Sequence, residues 1–197
     1  LGYHFLTLFP VGKRPLWVTM LRDPIERVIS HYYFFRNAKP IKEKHFAYRI
    51  QEIAGSCSLL EFVESQETDQ ITNNNQFNNL VDSEFITRDK DRKKFKRGEK
   101  PSDELLDLVK HRLENECFFF GITGEYDRSI ELLSYQLHWD PPASARDRLN
   151  VTPMKPGKEQ IEEKVIEAIR QRVLLDIEVY EFARSLFETR YRMAFGQ

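Results

Sequence analysis

The stretch Arg22-Asp23-Pro24-Ile25-Glu26-Arg27-Val28-Ile29-Ser30 places two arginines and a hydroxyl close together, directly after an apolar run. An arginine fork beside a hydroxyl suits a phosphate group, which accepts several charge-assisted hydrogen bonds at once. The start of a helix adds unpaired N–H groups and a dipole that favour an anion. A plain structural reading stands beside this one: Arg22 pairs with a core carboxylate and Ser30 merely fills a helix. Five histidines are present, His4, His31, His45, His111 and His138. Imidazole exchanges protons near neutral pH and so suits general base work. His31 adjoins Ser30, but its side chain should face another side of the helix.

These residues need elements to hold them. Residues 16–21 form a short apolar run and are predicted to be a buried strand. Asp23 then offers an N-cap, Pro24 suits the first helical position, and Glu26 completes a capping-box variant. Ile25, Val28, Ile29 and Tyr32 follow at helical spacing. Ser58 and Glu61 open a second helix by the same rule, and Leu105, Leu106, Leu108, Val109 and Leu113 mark a third. Residues 117–122 are predicted to be a second buried strand, followed by a helix over 127–137. Residues 158–192 should be helical, split near Asp176 as a cap. The segment 73–79, with five Asn and Gln76, is either a turn or the lining of an acceptor cleft. The pattern of strand, helix, strand and helix predicts an α/β fold with parallel strands. No repeat or flexible linker divides the 197 residues, so the expectation is a single domain over 1–197.

Composition narrows the function classes. Thirty Lys and Arg against 31 Asp and Glu leave a net charge of −1, which argues against a nucleic-acid-binding surface. Hydrophobic residues at 41% and aromatics at 13% permit a real core. No apolar run is long enough to span a bilayer. Cys57 and Cys117 have no partners at metal-ligand spacing, so a zinc site or disulfide framework is not expected, though one pair remains open. Neither metalloprotease, α/β-hydrolase nor calcium-loop motifs occur.

The segment from Leu21 to Phe34, Leu-Arg-Asp-Pro-Ile-Glu-Arg-Val-Ile-Ser-His-Tyr-Tyr-Phe, resembles the 3′-phosphate-binding segment of carbohydrate sulfotransferases, and most of all the heparan and uronyl 2-O-sulfotransferase group. Two further segments agree in order: residues 119–133, like the family's late strand and following helix, and Leu149-Asn150-Val151-Thr152 with Lys155, like its closing loop. The helix containing Asp176, Tyr180, Glu181 and Phe182 resembles the family's last one. The resemblance is diffuse between about residues 38 and 100.

The resemblance implies a P-loop-like three-layer sandwich with a central parallel sheet. It also implies transfer of a sulfuryl group from 3′-phosphoadenosine 5′-phosphosulfate (PAPS) to a carbohydrate hydroxyl, without a metal. Arg22 and Ser30 would hold the 3′-phosphate, and Asn150, Thr152 and Lys155 would close over the donor. Arg27 would be structural. His4, in Gly2-Tyr3-His4, would be the base that deprotonates the acceptor; Tyr3 separates it from the glycine and shifts the alignment by a residue. A terminal surface histidine is the alternative.

The family's Gly- and Lys-containing loop for the 5′-phosphosulfate has no counterpart among the eight glycines. The chain also begins at Leu1, so we expect a piece cut at its N-terminus and inactive alone. Residues 88–100 carry eight positive and three negative side chains, fit either for an anionic glycan or for a solvated loop. Two other functions stay open: a non-catalytic module for anionic glycans, and another P-loop-type nucleotide-dependent transferase. For localisation, few cysteines and a lone sequon at Asn150 favour a bacterial cytoplasm over a Golgi lumen.

Overall fold

Both predicted strands form, but only the second is buried as expected: in the first, Val18 and Met20 are exposed and Leu21 alone is buried, because apolar composition by itself does not decide which strand is covered. The computed structural model describes residues 16–40, 47–81, 102–140 and 155–196. β1 (Val18–Leu21) lies parallel to β2 (Phe119–Ile122), with Val18 opposite Phe119 and Leu21 opposite Ile122. These are the two strands among the described residues, and the fold there is mixed helix and strand with a small parallel sheet.

The packing of the sheet depends on Gly121, which faces Met20 across the pair. A Cβ at this position would lie 2.5 Å from Met20 Sδ and 2.8 Å from Ser129 Cβ. The missing side chain therefore lets the helix that carries Ser129 press onto the sheet. There the Ser129 hydroxyl accepts from Ile122 N–H at 2.9 Å and donates to Ile122 C=O at 3.2 Å. Gly121→Ala should cost about 1–3 kcal/mol by overpacking. A urea midpoint unchanged from wild type would contradict this.

α1 (Pro24–Asn37) starts as its sequence predicts: Asp23 is the N-cap, accepting from Glu26 N–H at 2.9 Å, and Pro24 opens the first turn. Its Ile25, Val28, Ile29 and Tyr32 are buried. α2 (Tyr48–Ser56) packs against α1, and α3 (Leu59–Glu64) carries the complete Ser58–Glu61 capping box. A short α4 (Asp69–Thr72) then leads to α5 (Asn75–Val81). Further on, α6 (Asp103–Asn115) precedes β2, and α7 (Tyr126–Leu137) follows it. α8 (Glu163–Arg172) and α9 (Leu174–Phe195) complete the described chain.

The Asn-rich segment is more than a turn. Asn74 sits at φ 44°, a left-handed conformation that asparagine tolerates, and α5 begins at the next residue. The C-terminal break also differs from expectation. It falls at Val173, and Asp176 does not cap α9. Instead Asn74 Oδ1 accepts from the N–H groups of Leu175 at 3.0 Å and Asp176 at 3.3 Å. In return the Asp176 carboxylate accepts from Phe77 N–H at 2.7 Å and Gln76 N–H at 3.2 Å, at the start of α5. Each helix end thus satisfies the open N–H groups of the other.

Two apolar clusters result. One joins β2, α5, α6, α7 and α9 with Leu21 of β1; the other joins α1, α2, α3 and α8. α1, which contributes Ile25, Val28, Ile29 and Tyr32 to the second cluster, follows directly on the carboxyl end of β1, and the site residues lie at that junction. Cys57 and Cys117 are both free thiols, the first half-buried and the second buried.

Candidate functional site

The Arg22–Ser30 pair is the centre of the site. Arg22 Nη1 donates to Ser30 Oγ at 3.1 Å, across the turn from β1 into α1. Among the described residues no carboxylate pairs with this guanidinium, so the expected alternative of a core ion pair is not what forms. Ser30 itself is buried, at 6% exposure. The backbone of Arg22 is held as firmly as a strand residue. Its N–H donates to Gln76 Oε1 and its C=O accepts from Gln76 Nε2, both at 2.9 Å. Gln76 thus works as a side-chain mimic of a neighbouring strand, fixing where Arg22 projects.

Arg27 serves the frame. One turn before Ser30, its guanidinium donates to Ile71 C=O at 3.3 Å and to Asn75 Oδ1, tying α1 to α4 and α5. Burial lowers its pKa, while the nearby Asp176 carboxylate opposes that. Asp176 in turn is pushed up to about 6 by burial, against its two backbone N–H bonds and Arg27.

Lys155 reaches the same end of α1, where it forms an ion pair with Glu26 in the first turn. Lys158 lies 3.9 Å from the Asp23 carboxylate. One open N–H of the first turn, that of Glu26, is taken by Asp23 itself, so Arg22 and Ser30 are the side-chain groups here that favour an anion. His4, Asn150 and Thr152 lie outside the described residues, as does the basic run 88–100.

His31 sits on another face of α1, as its position predicts. Its ring meets Phe35 edge-on at 6.4 Å, and its Nδ1 is buried without a hydrogen-bond partner. Burial, with repulsion from Arg27 and Arg22, pushes its pKa down to about 4. The unfolded chain therefore takes up this proton first as pH falls, near 6.5, and stability is lost between there and about 4. Asp176 acts with the opposite sign, since its raised pKa removes stability as pH rises through the same window. The His31 part is isolated by comparison with His31→Gln. Between pH 7 and pH 4.5 the wild type should lose about 2 kcal/mol relative to this variant. Parallel pH profiles in urea would contradict this.

Gln76 and Asn79 also line a cleft of about 330 Å³ along β1, together with Trp17 and Arg27. What the sequence did not offer is the Gln76 clamp on Arg22 and the Asp176 brace on α5. Their partners are 54 and about 100 positions away, so no local pattern signals them. Among the described residues no group of three or more His, Cys, Asp or Glu side chains is placed to share a metal ion.

No protein-family model matches the chain. It is similar to human heparan-sulfate 6-O-sulfotransferase 3, with 27% identity over 192 residues, covering 89% of this chain and 38% of that protein. It is similar over a shorter stretch to heparan sulfate 2-O-sulfotransferase 1 of Xenopus laevis, 53% identical over 30 residues, which is 15% of this chain and 8% of that protein. The Cricetulus griseus 2-O-sulfotransferase 1 is 44% identical over 36 residues, 18% of this chain and 10% of that protein. The chain thus spans well under half the length of these relatives. They are animal proteins, which corrects the expectation of a bacterial cytoplasm.

Proposed function

We propose that this chain forms the 3′-phosphate side of a PAPS-dependent carbohydrate O-sulfotransferase with a P-loop-like three-layer fold. The observation that carries the reading is the Arg22 guanidinium, set on Ser30 Oγ and without a carboxylate partner among the described residues. Similarity to heparan sulfate 6-O- and 2-O-sulfotransferases supports the reaction class and a glycosaminoglycan acceptor.

In this reading Arg22 and Ser30 grip the 3′-phosphate, and the Gln76 clamp keeps the fork aimed. Lys155 exchanges Glu26 for a donor oxygen, and Asn150 and Thr152 close the same side. His4 takes the proton of the acceptor hydroxyl while that oxygen forms a bond to sulfur. The bond between sulfur and the 5′-phosphate oxygen breaks in line, and its electron pair leaves with 3′-phosphoadenosine 5′-phosphate. Fixing the donor at its far end positions the sulfur for attack, which is where much of the rate gain arises. No metal has a task in this scheme.

Calorimetric titration tests the reading. The chain should bind 3′-phosphoadenosine 5′-phosphate and discriminate strongly against AMP, which lacks the 3′-phosphate. Equal affinity for the two nucleotides would refute it. Preference for ATP would instead identify a different nucleotide-dependent transferase.

A further inference from the structure

The face of α1 that carries Arg27, His31, Phe34 and Phe35 has one helical repeat of i, i+4, i+7 and i+8, so these side chains line up along one stripe. Beside it lies a cavity of about 280 Å³, walled by His31, Phe34 and Phe35 of α1, Ile71 of α4, and the polar Gln70 and Asn75. Phe34 stands at this cavity with 53% of its surface exposed. Its edge meets Phe35, 5.3 Å between centroids. The remaining polar feature is the imidazole of His31, with its unpartnered Nδ1.

We propose that this cavity is a subsite for one anionic sugar residue of the acceptor chain, so that α1 holds the donor phosphate on one face and the acceptor on another. The inference rests on the sulfotransferase reading above and names where its acceptor binds. Three observations carry it. An exposed aromatic ring gives a platform for the C–H face of a pyranose, while the Gln70 amide and the His31 imidazole at the rim bond its hydroxyls. The space, about 280 Å³, is enough to hold a single sugar ring. Arg27, whose charge helps lower the basicity of His31, stands behind the cavity, and a cation there attracts a uronate or sulfate group. The depressed basicity of His31 agrees, because a neutral ring serves as a hydrogen-bonding group and adds no charge of its own. The larger cleft along β1 does not compete, since a cleft beside a strand edge is the shape another strand fills.

The experiment is titration of the chain, loaded with 3′-phosphoadenosine 5′-phosphate, with a heparan sulfate octasaccharide. The wild type is compared with Phe34→Ala and His31→Gln. Phe34 is exposed, so its removal leaves the fold intact. We expect Phe34→Ala to weaken octasaccharide binding about tenfold, with nucleotide affinity within about twofold of wild type. The His31 imidazole resonances should shift on adding the octasaccharide, and a carboxyl-reduced, desulfated oligosaccharide should bind more weakly. Unchanged octasaccharide affinity in both variants, or no octasaccharide binding by the loaded wild type, overturns the subsite while the donor reading stands. Failure of the wild type to bind the bisphosphate overturns the donor reading, and this inference with it.

Discussion

Asp176→Ala should be the most damaging single substitution for stability, lowering the folding free energy by about 2–6 kcal/mol. Asp176 is 1% exposed and accepts from Gln76 and Phe77 N–H at the first turn of α5. Removing the carboxylate orphans two buried donors, each worth about 1–3 kcal/mol when left unsatisfied. It also leaves the buried Arg27 guanidinium without its opposing charge. The strain reaches the site, because Gln76 lies in the first turn of α5 and clamps the Arg22 backbone. Asp176→Asn should cost less, since one acceptor oxygen is kept, although its amide hydrogens face N–H donors. Urea unfolding of the three proteins gives the order wild type, Asn, Ala. Equal midpoints for Ala and wild type would show that the brace is incidental. The raised pKa of Asp176 does not soften the expectation: burial makes the charge costly, and the same burial keeps water from replacing its bonds.

Arg22→Ala should have the largest effect on binding. Loss of one charged hydrogen-bonding group from a phosphate site costs roughly 1.5–3 kcal/mol. That corresponds to about a ten- to 150-fold weaker affinity for 3′-phosphoadenosine 5′-phosphate. The structure makes this experiment clean. Gln76 holds Arg22 through its backbone, which alanine retains, and the described side chain makes one hydrogen bond, to Ser30. Folding stability should therefore change by less than about 1 kcal/mol, so that weakened binding reports the site itself. Arg22→Lys should recover part of the affinity, since it keeps the charge and loses the fork geometry. Calorimetry with AMP alongside separates the 3′-phosphate from the rest of the nucleotide. If Arg22→Ala and wild type bind the bisphosphate equally, Arg22 has no part in holding it.

Much of the frame was legible in the sequence because it is built from local signals. The β1 run, the Asp23-Pro24 helix start, the Ser58–Glu61 capping box and the helices over 103–115 and 126–137 each rest on neighbours within four positions. The Arg22–Ser30 pairing belongs to the same class, since eight residues across one strand–helix turn bring fork and hydroxyl together. The Asn-rich segment shows where such reading stops. Asparagine favours turns, and one does occur at Asn74; what converts the next residues into α5 is a carboxylate about 100 positions away.

The sequence by itself therefore determined the strand–turn–helix element, its cap, and the residue types that suit an anion. Short-range hydrogen bonding and 3.6-residue periodicity dictate these wherever the chain sits. Only the tertiary structure decided that Gln76 would clamp Arg22, that Asn74 and Asp176 would cap each other's helices, and that His31 would lose its basicity beside two arginines. Those outcomes depend on burial and on partners brought together from distant parts of the chain, where a polar group excluded from water must find its bond in whatever segment packs against it.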